Sequence, residues 1–496
     1  MSRTVKRLGP QDMFFLYSES PNTMMHVGAL MPFSLPPDAP RDFLRRLIED
    51  GKADAVVEPW NLKLSTPQML YSPAQSWVID DTMDLDYHVR RSALASPGDE
   101  RELGILVSRL HSHALDLTRP PWEMHFIEGL EGGRFAIYVK MHHSLIDGYT
   151  GQKMLARSLS TDPDDTSHPL FFNVSAPQRE RQPAGVAESE PSDSTGGSLL
   201  GGLGNVVNTL EGMVSGVGSV LSSVASAGRS TYDLTKAIVN TQLRSDHEYA
   251  DLVGSVQAPH SILNTRISRN RRFATQQYKL DRLKDVGALF DATVNDVALT
   301  IIGGGLRRFL DELGELPDKS LIAVVPVNVR PKGDEGGGNA VAAILATLGT
   351  DIADPVERLK AVTAATAIAK AQLRSLDKDA ILAYTAALMA PYGVQLASAL
   401  SGVTPPWPYT FNVCVSNVPG PSDVLYLRGS KLEASYPIAF PAHSQALNIT
   451  LQSYADTLNF GFIGCRDTLP HLQRLAVYTG DALRELEAAV AGAREA

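Results

Sequence analysis

The alternation of apolar and polar side chains is plainest between Arg134 and His143. Side chains of a strand point alternately to opposite faces. Phe135, Ile137, Val139, Met141 and His143 would therefore share one face, and Ala136, Tyr138, Lys140 and His142 the other. The β-branched and aromatic content of the run predicts that strand. Apolar positions at helical spacing predict helices over 41–48, 100–115, 151–159, 281–290, 294–313 and 470–493. Strands are predicted over 321–329 and 341–348, and 447–454 with 458–465 alternates like a hairpin. Asp354 before Pro355 reads as a helix start, the aspartate as cap and the proline in the first turn.

Between the two mixed halves the pattern changes. Gln178 to Ser194 is rich in Pro, Glu and Ser, as a surface linker would be. From Leu199 apolar residues recur seven apart, at Leu200, Val207, Val214 and Leu221 and at Leu203, Leu210, Val217 and Val224. A helix over 199–224 would carry one broad apolar stripe, fit to pack on a domain, to dock on a membrane or to cover a tunnel. Against docking, 194–228 holds no lysine or arginine, which interfacial helices commonly carry. The fold class expected is α/β (α+β), with a first domain over 1–177, a linker over 178–265 and a second domain over 266–496.

Composition narrows the function classes. The chain has 496 residues, 44% hydrophobic and 20% charged, enough for two substantial cores. A net charge of -10 without a basic stripe argues against nucleic acid as partner. The two cysteines, Cys414 and Cys465, sit in strand-like runs and fit a reduced, cytoplasmic setting as small buried hydrophobes. The basic N terminus is not followed by the apolar core of a secretion signal. No run reaches 18 consecutive apolar residues, so no spanning helix is expected.

The chemistry concentrates in His142-His143-Ser144-Leu145-Ile146-Asp147-Gly148. At the end of an apolar face, a neutral His143 could take a proton from a bound hydroxyl or thiol. His142 points away from it. Adjacent strand histidines diverge, and no HExxH or Cys/His cluster supplies further ligands, so no metal is expected. Asp147 could orient His143 as a triad member, but locking the turn by pairing with a cation is favoured. Gly148 would allow backbone angles that a residue with a Cβ resists. GxSxG, GxGxxG and P-loop patterns are missing, which leaves hydrolase, dinucleotide and NTPase readings without their usual support.

The HHxxxDG pattern resembles that of the acyltransferases of chloramphenicol acetyltransferase-like fold. Further segments make the chain similar to the bacterial wax ester synthase/diacylglycerol acyltransferase family: Met25-His26-Val27-Gly28, Arg119-Pro120-Pro121-Trp122-Glu123, Val294-Asn295-Asp296-Val297, Val325 to Arg330, and Ser416-Asn417-Val418-Pro419-Gly420-Pro421. They span nearly the whole chain. Two departures are Pro121, usually leucine in the family, and Asn328, often serine.

The resemblance implies two acyltransferase domains with an active-site channel between them, and transfer of a long-chain acyl group from acyl-CoA to diacylglycerol or a long-chain alcohol. It makes His143 the general base, with His142 and Asp147 in support. Acyl-CoA would be a co-substrate, with no resident cofactor. Such an enzyme would be cytoplasmic and lie peripherally on the inner membrane or on lipid droplets. Trp122, Asn295, Asp296 and Arg330 are candidates for substrate contact. Two also have plainer readings, Trp122 as a core anchor and Asp296 with Thr293 as a capping box, and Arg330 is a candidate partner to Asp147 or to CoA phosphates. Two alternatives stay open: a condensation-type acyltransferase fed by a carrier protein, and a lipid-binding homologue without turnover.

Overall fold

The computed structural model describes residues 4–72, 74–146, 148–176, 252–328, 341–402 and 407–495. The Pro/Glu/Ser-rich stretch, the 199–224 stripe, Asp147 and Arg330 lie outside them.

The first half runs β1 (Thr4–Arg7), α1 (Pro10–Ser18), β2 (His26–Ser34), α2 (Phe43–Ala53), β3 (Leu62–Leu64), β4 (Ser76–Ile79), α3 (Leu85–His88), β5 (Val89–Ala93), α4 (Glu100–His111), β6 (Trp122–Leu130), β7 (Arg134–His142) and α5 (Gly148–Arg157). The second runs β8 (Arg271–Lys279), α6 (Leu280–Ala288), α7 (Val294–Glu312), β9 (Ile322–Asn328), β10 (Val341–Thr347), α8 (Pro355–Arg374), α9 (Lys378–Ser401), β11 (Val413–Val418), β12 (Tyr426–Leu427), β13 (Ser430–Leu432), β14 (Tyr436–Ile438), β15 (Leu447–Tyr454), β16 (Thr457–Cys465) and α10 (Gln473–Glu495).

The histidine strand is central in its sheet, whose order is β12-β13-β2-β7-β6-β5, with β14 also pairing on β2. Both faces of β7 are buried. Phe135, Ile137, Val139 and Met141 pack in one core with Phe33, Trp122, Met124 and Phe126. Ala136 and Tyr138 pack in another with Leu103 and Val107 of α4 and with Phe273, Ile438 and Ile463 of the second half. Each such aromatic ring removed from water stabilises by about 2–3 kcal/mol, so the alternation fixes which side of the strand faces the other half. Gly28 lets β2 lie against β7, since a Cβ there would sit 2.4 Å from the Val139 carbonyl oxygen.

The second sheet has the order β10-β9-β11-β15-β16-β8, with α8 on β10, α10 on β8, and α7 packed against α10. Its edge strand β8 faces α4. There the Arg271 and Phe273 N–H groups donate to the Ser112 and Ser108 hydroxyls at 2.8 and 2.9 Å. An edge that would otherwise be open is thereby satisfied, and the halves are joined. A third sheet, β1-β4-β3, carries α1 through a small cluster of Leu16, Leu62, Leu64 and Trp77.

Two features of the organisation stand beside the expected domains. Leu252, Val253, Ala258 and Leu263 belong to the core of the second half, so its packing includes the chain from residue 252. The halves also interlock: β12, β13 and β14 come from the second half and complete the sheet of the first. The 24-residue α9 was not predicted, because Pro391 lies inside it and its apolar residues do not keep to one face. No helix among the described residues is long and apolar enough to cross a membrane.

Candidate active site

β7 ends at His142, and the chain turns. The His143 N–H still donates to the Met25 carbonyl at 2.9 Å, and Leu145 N–H returns to the His142 carbonyl at 2.9 Å. His142 is buried, at 1% exposed. Its Nδ1 accepts the Ser144 N–H at 3.2 Å and lies 2.6 Å from the Ser144 hydroxyl. A backbone N–H can only donate, so Nδ1 is the acceptor nitrogen and Nε2 carries the proton. That nitrogen faces Glu19 at 3.4 Å. Glu19 in turn accepts the Met25 N–H at 2.6 Å. His142 therefore ties together β7, the turn after it and the chain after α1.

His143 lies in an aromatic slot. Its ring stacks on Phe15 of α1, with centroids 4.0 Å apart and planes 21° from parallel, and meets Phe440 of the second half edge-on at 5.9 Å and 89°. The strand has already ended, so this environment does not follow from the β7 alternation. It is supplied by two residues remote in sequence. Phe15 had a local signal in the run Met13-Phe14-Phe15-Leu16-Tyr17, which is too apolar for an exposed helix. Phe440 had none.

Gly148 opens α5, and a Cβ added there would meet nothing within 4 Å. Close packing therefore does not demand the glycine, and space is left open beside the turn. One step further along α5, Gln152 exchanges hydrogen bonds with Gln452 of β15, at 2.9 and 2.5 Å. This crosses the seam between the halves. Gln452 also accepts the Ser435 hydroxyl at 3.0 Å.

Two motif segments of the second half meet near the same seam. The Gly420 N–H donates to the Ser453 hydroxyl at 3.0 Å, and a Cβ on Gly420 would lie 2.1 Å from the Ser453 carbonyl oxygen. Only glycine lets the Ser416–Pro421 segment lie this close to β15. Asn417 Nδ2 approaches Asn295 Oδ1 at 3.5 Å, which brings the segment beside the start of α7. There Thr293 and Asp296 form the capping box expected: the Thr293 N–H and hydroxyl donate to Asp296 Oδ2 at 2.9 and 2.7 Å. Oδ1 accepts Thr366 at 2.7 Å and Lys370 at 3.2 Å, both from α8. Burial alone would raise the Asp296 carboxyl, but the bonds from Thr293 and Thr366 and the nearby Lys370 hold it below its ordinary range. Both oxygens are occupied, so Asp296 fixes α7 against α8.

Trp122 sits in the core of the first half. It is wholly buried, stacks on His88 and Phe172, and donates Nε1–H to the Trp60 carbonyl at 2.6 Å. It is a core anchor. Its neighbour Glu123 belongs to an ionic cluster that the sequence did not reveal. Lys140 is fully buried on β7 and lies 3.5 Å from Glu123, with His125 at 3.3 Å and Arg90 at 3.4 Å. Burial would raise Glu123, but His125, Lys140 and Arg90 bring it down to about 2. Lys140 also donates to the Leu110 and His113 carbonyls at 3.1 and 2.8 Å, closing the C-terminal end of α4. Nearby, His111 Nδ1 lies 2.8 Å from the Tyr138 hydroxyl and His26 Nε2 lies 3.0 Å from the His111 carbonyl. Burial, and then neighbouring positive charge, holds His26 and His111 well below the ordinary histidine value.

The cysteines differ from expectation in one respect. Cys414 is partly buried and 3.6 Å from the Ser416 hydroxyl. Cys465 is buried but is more than a small hydrophobe, for its sulfur accepts the Ser268 N–H at 3.4 Å.

Two interlocked α/β halves, with a histidine turn of one facing the other, define the class: an acyltransferase of chloramphenicol acetyltransferase-like fold. Residues 8–298 match the wax ester synthase/diacylglycerol acyltransferase catalytic domain, and residues 337–487 match the C-terminal domain of the same family. The chain is 77% identical to a putative diacylglycerol O-acyltransferase of Mycobacterium tuberculosis strain H37Rv, over 99% of this chain and 98% of that one. It is 40% identical to a probable diacylglycerol O-acyltransferase of the same species, over 97% of this chain and 98% of the relative. Among solved structures it is similar to the wax ester synthase/diacylglycerol acyltransferase of Marinobacter aquaeolei VT8, with TM-score 0.75, 34% identity and 98% and 99% of the two chains covered. The first condensation domain of the CDA synthetase shares the fold at TM-score 0.53 and 15% identity, with 97% and 95% covered. The protein belongs to the wax ester synthase/diacylglycerol acyltransferase family and is an acyl-transferring enzyme.

Proposed function

We propose that the protein transfers a long-chain fatty acyl group from acyl-CoA to a lipid hydroxyl, that of diacylglycerol first and of long-chain alcohols second. The observation that carries this reading is the His143 ring, held between Phe15 of one half and Phe440 of the other. The neutral imidazole is the form that can accept a proton. As the acceptor oxygen attacks the thioester carbonyl, His143 takes the hydroxyl proton; when the C–S bond breaks, the CoA thiolate leaves and takes that proton back. Water is a competing nucleophile, and rings on two sides of the base leave it less room.

His142 serves as support, since its Nδ1 is taken by Ser144 and its Nε2 faces Glu19 at 3.4 Å. Asp147 is assigned the orienting role of its motif. Asn295, which has no part in the cap, is assigned to the substrate side together with Asn417, and Arg330 to the CoA phosphates. Acyl-CoA is a co-substrate, and the reaction as written needs no resident cofactor. The names of the mycobacterial relatives support diacylglycerol as acceptor. A lipid acceptor places the protein at the cytoplasmic side of a membrane or on lipid droplets, held peripherally.

The test is release of free CoA from palmitoyl-CoA with diacylglycerol or hexadecanol. His143→Ala should lower acceptor-dependent release by about a hundred- to ten-thousand-fold, the usual worth of a general base. His142→Ala should cost less turnover and show instead as a lower Tm. No acceptor-dependent release by the folded native protein would overturn the reading and turn attention to carrier-protein thioesters.

A further inference from the structure

The module that carries Phe15 also reaches the surface. In α1 the run Met13 to Tyr17 is apolar on every side. Leu16 is buried against Leu62, Leu64 and Trp77, and Phe15 lies on His143. Phe14 is left outside, 37% exposed. Beside it the turn between β3 and β4 projects Met69 and Tyr71, 64% and 66% exposed, more than any other large apolar side chain among the described residues. The Tyr17 and Tyr71 rings lie 5.5 Å apart, and the Tyr17 hydroxyl donates to the Tyr71 carbonyl at 3.3 Å, so helix and turn form one patch. An open hollow of about 490 Å³ lies along the turn, lined by Pro67 to Ser72. Ile105, Leu289 and Val477 are exposed on other segments, which is ordinary for a protein surface.

Two further observations indicate what covers the patch. First, it is continuous with the base: Phe14 meets Phe15 edge-on at 5.6 Å, and Phe15 stacks on His143 at 4.0 Å. Second, it is flanked by cations in a chain of net charge -10. Lys6 and Arg7 are exposed on β1 and enter no ion pair among the described residues. Arg7 pairs in register with Ser76, at the end of the small sheet where the exposed turn rejoins it. Charges act over about one Debye length, roughly 8–10 Å, so two exposed cations at this end of the sheet act locally even in a chain of negative net charge. An apolar patch with cations at its rim fits an anionic lipid surface better than an aqueous protein partner.

We propose that α1 and the Pro67–Ser72 turn seat the protein on an anionic phospholipid surface, with Phe14, Met69 and Tyr71 among the acyl chains and Lys6 and Arg7 at the headgroups. The lipid acceptor then reaches His143 past Phe14 and Phe15 without crossing water. This rests on the lipid-acceptor reading above and adds where the acceptor comes from. It assigns docking to residues other than those of the 199–224 stripe.

The experiment is co-sedimentation of the full chain with vesicles of phosphatidylcholine and phosphatidylglycerol. It compares the native protein with the double variant Met69→Ser/Tyr71→Ser, with Lys6→Glu/Arg7→Glu and with Val477→Ser as an exposed apolar control. Met69→Ser/Tyr71→Ser should bind about tenfold more weakly or worse, given the apolar area two such side chains withdraw from water. Lys6→Glu/Arg7→Glu should lose the preference for phosphatidylglycerol, and Val477→Ser should bind like the native chain. CoA release with dissolved hexanol should stay native in the Met69/Tyr71 variant, while release with diacylglycerol in vesicles falls with binding. Equal sedimentation of that variant and the native protein would overturn the proposal. So would a lipid-free dimer that the same substitutions dissolve, since the patch would then belong to a second copy. Vesicle binding that depends on Met69 and Tyr71, in a protein that transfers acyl groups to no acceptor, would support the docking face and sink the proposed function alone.

Discussion

The two halves bring residues to a common seam but hold them by different means. In the first half the strand that ends in the histidines is backed by buried charge: Lys140 against Glu123, with His125 and Arg90 around them. In the second half a cap, amides and hydroxyls hold the segments at the seam, and the ion pair there, Asp296 with Lys370 at 3.2 Å, is backed by three neutral donors to the same carboxylate. Asp296 closes its box with Thr293, Asn412 donates to Asn264 and the Pro259 carbonyl at 2.7 and 2.8 Å, and Gly420 leans on Ser453. Neutral bonds can exchange partners at small cost, whereas a buried ion that loses its partner is left in a low dielectric. The half that presents the base is thus the less forgiving one.

The largest expected effect follows from that difference. Glu123→Gln leaves Lys140 with only the Leu110 and His113 carbonyls and should destabilise by about 3 kcal/mol in denaturant unfolding. Glu123→Leu/Lys140→Met should recover most of the loss, because no orphan charge remains. If the single substitution proves as mild as the double, the ionic account of the first half fails. The pH dependence has the same origin. Glu123 is held at about 2 against an ordinary 4.5, so its contribution is present above pH 4.5 and disappears as pH falls toward 2. His26 and His111 are held neutral below their ordinary 6.5, so only the unfolded chain takes up their protons as pH drops through that value, and stability begins to fall there. A Tm profile should show both declines, and Glu123→Gln should flatten the lower one.

Asp296→Ala is the matching test in the second half. It removes the carboxylate side of the capping box of α7 and the bonds to Thr366 and Lys370 and should cost about 2 kcal/mol. Asp296→Asn keeps an acceptor and should cost less. A loss as large as that of Glu123→Gln would erase the contrast between the halves.

Much of this was legible in the sequence, for identifiable reasons. The faces of β7, the capping box at Thr293, the Asp354 cap and the β15–β16 hairpin depend on neighbours in sequence, and periodicity and local chemistry report them. The histidine turn stood out because its residue types are costly to place without purpose. What escaped was long-range. Lys140 read as the polar member of an alternating strand, and its partner Glu123 lies on a different strand. The slot around His143 comes from Phe15 and Phe440, which no spacing rule links to it. The lending of β12 to β14 across the halves is a topological choice that short strands do not announce.

The smallest effect is expected at the seam itself. Gln152→Ala removes the paired amide bond to Gln452 and leaves the latter with Ser435, a loss of about 1 kcal/mol. With Gln452→Ala it should form a double-mutant cycle with a coupling of about 0.5–1.5 kcal/mol. Turnover should stay within about twofold, because β12 to β14 and the Ser108 and Ser112 bonds to β8 already hold the halves in place. Unchanged stability with a large loss of turnover would show instead that Gln152, one helical turn past the histidine motif, touches the substrate. The seam would then have to be counted with the base as part of the working site, and not as the joint between two differently built halves.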